Sequence, residues 1–470
     1  MGSPSGRAGF GMSGEQAMCV GVVPLPGRLE PWQEEVANDP DHLAAWIEEH
    51  GSPVNLIEPG PMERNAAELA AAAEARDVSF RIFFARKANK ALALVDEAKR
   101  LGMGVDVASA NELRQVLDRG VEASDVVVTA AVKPRAMLDL CLESGATIVV
   151  DNADELGLLR ELQEQGRRQA TVAVRLSPEP PEGRPPTRFG MTRDEILNSL
   201  RSWPTGLTLR GIHFHLDGYD AGERVAAIAE SLGVVDAIRA QGHELHFLDI
   251  GGGIPMSYLE SQEEWDTFWA EHSRAVAAER EAITFDGHEI GTVYPYFQSP
   301  VRGDWLGRIL DASLNSGSVA DLIRAREIEL RCEPGRALLD GCGMTASRVE
   351  FKKQRSDGTW LVGLAMNRTQ MRSTSDDFLV DPLLLRPSGA GEPTGALEGY
   401  LVGAYCIERE LISWRRFSFP QGVAVGDLVV FPNTAGYLMH ILESASHQIP
   451  LARNLVVHAG EARPDAIDGG

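Results

Sequence analysis

Along this chain the spacing of apolar positions switches repeatedly between a period near 3.6 and short apolar runs, dividing it into helix-like and strand-like stretches. Residues 30–50 carry apolar positions at helical spacing (Trp32, Val36, Leu43, Trp46, Ile47). Val54–Ile57 is a strand-length run closed by Glu58-Pro59-Gly60-Pro61. From Met62 the two patterns alternate. Helices are predicted over 62–76, 91–101, 110–119, 134–143, 153–166, 192–201 and 221–240, with more between 263 and 324. Strands are predicted over 80–85, 104–107, 125–129, 146–150, 170–176, 208–214, 244–250 and 327–332. Eight strand-helix units in about 255 residues match the size of a (β/α)8 TIM-type barrel, although an open doubly wound sheet shows the same alternation. Beyond Gly341 the pattern becomes short β-rich runs (Ser347–Phe351, Trp360–Leu364, Ala396–Val402, Asp427–Val430) between Gly, Pro and charged turns. The expected α/β organisation is therefore a disordered leader (1–15), an N-terminal segment contributing Val54–Ile57 to a β domain (16–61), a barrel (62–340) and a C-terminal, mainly antiparallel β domain (341–470).

Composition narrows the partners. With 470 residues, 44% of them hydrophobic, the chain can bury a large core. Forty-five Lys and Arg against 68 Asp and Glu leave a net charge of −23, which repels nucleic acid and anionic membranes, so neither is an expected partner. Five scattered cysteines without a CxxC or Cys/His cluster suggest no disulfide framework and no metal site, and fit a cytoplasmic location. No apolar run approaches the ~20 residues of a membrane span.

Three places on the predicted barrel carry candidate chemistry. The run Arg81-Ile82-Phe83-Phe84-Ala85 delivers Lys87 to a strand's C-terminal end, where barrel enzymes hold their reactive groups; lysines there are more often solvated charges. Gly251-Gly252-Gly253 follows the seventh strand, where backbone N–H groups can turn onto an anion, although three glycines also suit a tight turn. The eighth strand ends in Cys332-Glu333-Pro334-Gly335-Arg336, an acid and a guanidinium that in isolation read as a surface ion pair.

Together these motifs resemble the fold-type III pyridoxal-phosphate enzymes, in particular the diaminopimelate, ornithine and arginine decarboxylase group, over roughly residues 55–450. The resemblance implies pyridoxal 5'-phosphate as cofactor and Lys87, in Phe84-Ala85-Arg86-Lys87-Ala88-Asn89, as its Schiff-base lysine. It implies His215 (in His213-Phe214-His215) as the ring-stacking histidine, Gly252, Gly253, Arg336 and Tyr437 as the phosphate site, and Arg175 at the cofactor rim. Glu333 is implied to face the pyridine nitrogen and keep it protonated, which favours decarboxylation over racemisation. Cys406 matches the family's catalytic cysteine, which reaches the lysine across a head-to-tail homodimer; on composition alone it is equally a small buried hydrophobe.

Two departures bear on the substrate. Leu216-Asp217-Gly218 follows His215 where the family has Gly-Ser, and Ile407 follows Cys406 where the family has an acid that binds a distal ammonium. Glu408 lies on the same side as Cys406 if that segment is a strand, and Arg372, in Ala365-Met366-Asn367-Arg368-Thr369-Gln370-Met371-Arg372, resembles the arginine that holds a distal carboxylate. The expected activity is decarboxylation of a small-molecule amino acid whose distal group is acidic or neutral. The alternatives are a pyridoxal-phosphate racemase or epimerase and a catalytically silent binding protein. Residues 255–325, rich in aromatics, exceed what the connection needs and form either a lid, an added interface or ordinary packing.

Overall fold

The computed structural model describes residues 18–166, 169–374, 376 and 378–469; the expected leader, 1–15, lies outside them. Eight parallel strands form a closed barrel: Phe80–Ala85, Gly104–Val107, Val126–Val128, Thr147–Val150, Ala170–Arg175, Leu207–His213, Phe247–Asp249 and Glu329–Cys332. Closure is made by the last strand, which pairs with Phe80, Arg81 and Ile82 on one side and with Phe247, Leu248 and Asp249 on the other. An open doubly wound sheet is thereby excluded.

The inside of the barrel is built in layers, because residues two apart on a strand point to the same face. Phe83, Val127, Val149, Ala173 and Phe247 pack together as a dry plug. Glycines on neighbouring strands make room for its two rings. A Cβ on Gly104 would lie 2.3 Å from the Phe83 ring, and one on Gly211 would lie 2.2 Å from the Phe247 ring. Two residues further along each strand, the next layer is polar, and it forms the floor of the site described below.

Helices surround the barrel, several started by side-chain caps such as Ser109 before Ala110–Asp118 and Asn152 before Ala153–Glu164. Pro61–Glu74, which precedes the first strand, packs beside Arg302–Asp311. The helix expected over 30–50 is two, Pro31–Ala37 and Pro40–His50. Pro40 has no N–H to continue the first helix, and the Asp39 side chain accepts the His42 N–H to start the second. Among the described residues no helix is long and apolar enough to cross a membrane.

The second sheet is organised on the long strand Gly343–Gln354. Its first half pairs antiparallel with both Val54–Ile57 and Leu428–Pro432, and its second half with Trp360–Leu364. Val54–Ile57 is covered on its other edge by Arg453–His458, running parallel. A four-residue run near the start of the chain, fully buried along its length, thus sits inside a sheet made mostly of C-terminal strands.

Candidate active site

At the C-terminal rim of the barrel each strand contributes one inward residue: Ala85, Asp106, Thr129, Asp151, Arg175, His213, Asp249 and Glu333, each two positions beyond a residue of the layer beneath. Seven of the eight are polar and all are buried. Buried polar groups persist only when partnered, and these are linked around the ring. Lys87 donates to Asp106 (2.6 Å), and Asp106 accepts the Thr129 hydroxyl. Arg175 donates to the Thr129 carbonyl, to Asp151 (2.8 Å) and to His213 Nδ1 (3.3 Å). His213 Nε2 lies 3.1 Å from Glu333 Oε1.

Lys87 leaves the first strand on a single 3-10 turn, Arg86–Ala88, rather than entering the next helix directly. The buried Arg86 side chain holds that turn by donating to the carbonyls of Asn89 and Lys90 and to Gln115. Burial opposes a charge on Lys87, but the carboxylates of Asp106 and Glu333 outweigh it and hold the amine's pKa above its usual range. Burial pushes Glu333 up to about 8, helped by Asp106, and pushes Asp249 up to about 7, helped by Glu333. This corner of the ring therefore retains a proton at neutral pH. His213 is driven down to about 3 by burial and by Arg175, and stays neutral.

Above the ring, the glycine loop closes on the sixth strand's exit. Gly251 and Gly253 have φ of 66° and 75°, conformations that disfavour other residues. A Cβ on Gly251 would lie 2.6 Å from the Phe214 carbonyl, and one on Gly252 would lie 3.0 Å from the Glu333 carbonyl. The Gly252 N–H donates to His215 Nδ1 (3.3 Å), and the Phe189 ring meets His215 edge-on at 6.2 Å. Burial and the nearby Lys87 charge keep His215 neutral, its pKa well below the ordinary value. Tyr437 takes an unusual φ of 71°; its N–H donates to the Ala88 carbonyl (2.8 Å), and its phenol lies against Gly335.

Lys87, Arg175, His215, Gly252, Gly253, Glu333 and Tyr437 are thus brought to one barrel mouth, with Arg336 at its edge, 5.3 Å from the Tyr437 ring. Three other candidates are placed elsewhere. Cys406 and Glu408 are exposed on a bend, not on a strand, so the side-sharing expected of a strand does not hold there. The break has a local cause: the Ile407 N–H donates to the Tyr405 carbonyl and the Glu410 N–H to the Ile407 carbonyl, turning the chain back on itself. Arg372 is buried and donates to the Leu411 carbonyl (2.7 Å). The ring also contains residues that motif reading passed over: Asp106, Thr129, Asp151 and Asp249. Their signal was a polar residue at the end of each short apolar strand, in the same two-residue register as Arg175 and Glu333.

The arrangement fits pyridoxal phosphate on two observations. The glycine loop is a backbone cradle that any side chain would fill, suited to a phosphate. Buried Glu333 Oε1 lies 3.1 Å from His213 Nε2 yet makes no hydrogen bond to it or to any other described residue, which leaves that oxygen open to accept a ring N–H. Comparison with known proteins agrees. Residues 63–293 match the pyridoxal-dependent decarboxylase, pyridoxal binding domain family. The uncharacterized protein y4yA of Sinorhizobium fredii is 32% identical over 431 residues, 90% of this chain and 92% of that one. Diaminopimelate decarboxylase of Vibrio cholerae is 24% identical, covering 86% of each chain. Among solved structures, diaminopimelate decarboxylase from M. jannaschii in complex with L-lysine superposes with a TM-score of 0.69 at 17% identity, covering 90% of this chain and 91% of that one. The chain belongs to the fold-type III pyridoxal-phosphate-dependent decarboxylase family, as a divergent member. Pyridoxal 5'-phosphate is accordingly its cofactor, and amino-acid decarboxylation its class of reaction.

Proposed function

We propose that this chain decarboxylates an amino acid whose distal group is acidic or neutral, in preference to a simple diamine precursor. The observation that carries this reading is the surroundings of the Cys406 bend. Ile407 and Glu408 are both exposed, and the bend's one buried carboxylate, Glu410, already accepts the Arg368 N–H (2.7 Å) and faces the Arg368 guanidinium at 3.4 Å. Around it the charge is positive. Arg409 and Arg372 lie 5.0 and 6.0 Å from the Trp414 ring, and Arg372 is close enough to lower the pKa of Glu410 against the larger, upward effect of burial. An ammonium group meets little there to pair with, whereas a carboxylate or an amide does.

Bound pyridoxal phosphate supplies the electron sink for the pair left behind when carbon dioxide departs. The chain's own residues divide the remaining work. Lys87 anchors the cofactor and accepts or returns a proton at its amine. Glu333, with the proton-holding Asp249 beside it, would hold the ring nitrogen, and neutral His215 would support the ring. Gly252, Gly253, Arg336 and Tyr437 would hold the phosphate. Cys406, which is exposed, would complete the site of a partner subunit in a homodimer and hold the proton that is returned to the substrate.

The test is carbon dioxide release by the full-length, cofactor-loaded protein, with acidic and neutral D- and L-amino acids set against ornithine, lysine and arginine. Higher kcat/KM for the acidic or neutral group is expected, and preference for ornithine or lysine would overturn the reading. Exchange of the α-proton without carbon dioxide release would identify a racemase or epimerase, and no turnover of any amino acid a silent relative.

A further inference from the structure

Among the described residues, the hydrogen bonds of the Arg336 guanidinium go to neutral oxygens. Its Nη1 donates to the Tyr258 hydroxyl (2.8 Å) and its Nη2 to the Ser373 hydroxyl (3.0 Å), and it lies over the Tyr294 ring at 4.2 Å. Among the described residues no carboxylate pairs with it, unlike Arg28 and Arg302, which share Asp340 a few residues along the same segment. A largely enclosed guanidinium without a counter-charge is costly unless an anion arrives. The Tyr437 ring, 5.3 Å away, joins it to the Lys87 turn, and Tyr258 is on the chain that runs out of the Gly251–Gly253 cradle.

We propose that Tyr258 and Ser373 are positioning residues that fix Arg336 without neutralising it, so that its full charge is reserved for the cofactor phosphate; this rests on the pyridoxal-phosphate reading above. The physical point is the choice of acceptor. A carboxylate at either position would hold the guanidinium more firmly, but would cancel the charge that recognises a dianion. Neutral hydroxyls set direction and leave charge. Burial holds the neighbouring phenols of Tyr219 and Tyr294 in the neutral form, pushing the first up to about 12 and the second well above its ordinary value. Tyr294 is itself fixed, accepting from the Gln298 amide (2.7 Å) and donating to the Met256 carbonyl (3.0 Å). Tyr258 and Tyr294 both come from the long connection between the seventh and eighth strands, which gives that aromatic stretch a role: it builds the wall that aims Arg336.

The experiment titrates the full-length protein, freed of cofactor, with pyridoxal phosphate and, separately, with pyridoxal, which lacks the phosphate. Tyr258→Phe keeps the ring and removes the acceptor; Ser373→Asp keeps an acceptor and adds a charge. Tyr258→Phe is expected to bind pyridoxal phosphate roughly tenfold more weakly, the size expected for one hydrogen bond to a charged group, with pyridoxal binding changed by less than about twofold. Ser373→Asp is expected to show the same selectivity with a larger loss. Equal losses for both ligands in both variants, or no loss in either, would overturn the proposal. A parent protein that takes up neither ligand would overturn the cofactor reading itself, and this proposal with it.

Discussion

The amine of Lys87 is held by Asp106, Asp106 takes the Thr129 hydroxyl, and the Thr129 carbonyl takes Arg175, so one charge is set by residues from four strands or their exits. The same burial that raises the pKa of Glu333 and Asp249 lowers that of several histidines. His213 and His440 are each driven down to about 3, first by burial. His440 accepts the Lys90 N–H at Nδ1 (3.2 Å) and faces Asn454 Oδ1 at Nε2 (2.7 Å), so its neutral form is built into the support of the Lys87 turn. The unfolded chain binds a proton at each of these histidines near pH 6.5 and the folded chain does not, so their contribution to stability is present above pH 6.5 and lost as pH falls towards 3. Asp249 and Glu333 act in the opposite sense: their pKa values are raised, so their contribution is present below about pH 4 and is lost as pH rises through about 7 and 8. Comparison with a variant separates the two. The unfolding temperature of His440→Gln is expected to fall less steeply than that of the parent between pH 6.5 and pH 4; parallel curves would show that His440 is not the titrating group.

At the level of elements, the strands and helices follow local pattern closely, but their junctions do not. The helix Leu92–Arg100 begins after Ala91, which has no side chain to cap it. The cap comes instead from Asp465, buried near the far end of the chain, whose carboxylate accepts the N–H groups of Leu92 and Ala93 (2.9 Å each). Asp465→Ala removes both bonds from the first turn of the helix that follows Lys87, and is expected to cost about 1–2 kcal/mol in chemical unfolding, with Asp465→Asn losing less. The Cys406 bend is a second junction that pattern misread. Alternation of Cys406, Glu408 and Glu410 reads as a strand, yet turn hydrogen bonds leave Cys406 and Glu408 exposed and bury Glu410. By contrast the barrel strands were legible, because each obeys a local pattern, while the two-residue step from apolar plug to polar ring emerged only from the structure.

In the whole molecule, the β domain and the barrel meet at the turn that carries Lys87. Asn89 donates to the Ala435 carbonyl (3.0 Å), Tyr437 donates to the Ala88 carbonyl, and Lys90 pairs with Glu443 (2.7 Å), so the loops of the second sheet clamp the turn that carries Lys87. On the proposed shared site, Cys406, exposed on a bend of the same domain, meets the Lys87 of a second copy. Lys87→Ala and Cys406→Ala proteins, each inactive alone, are therefore expected to regain about a quarter of parental activity when dissociated and reassociated in equal amounts, since half the dimers are mixed and each mixed dimer holds one intact site. No recovery in proteins shown to exchange subunits would refute the shared site. The sequence by itself determined the eight strand-helix units, the later β-rich region, and the family motifs at Lys87, His215, Gly251–Gly253, Glu333 and Tyr437, because periodicity and short motifs are local properties of the chain. Only the tertiary structure decided that the barrel closes, that Asp106 faces Lys87, that Asp465 caps a helix 373 positions earlier, and that Arg336 meets hydroxyls and, among the described residues, no acid. Those are contacts between residues far apart in the chain, and their geometry exists only once burial and strand register have fixed every side chain's direction at the same time.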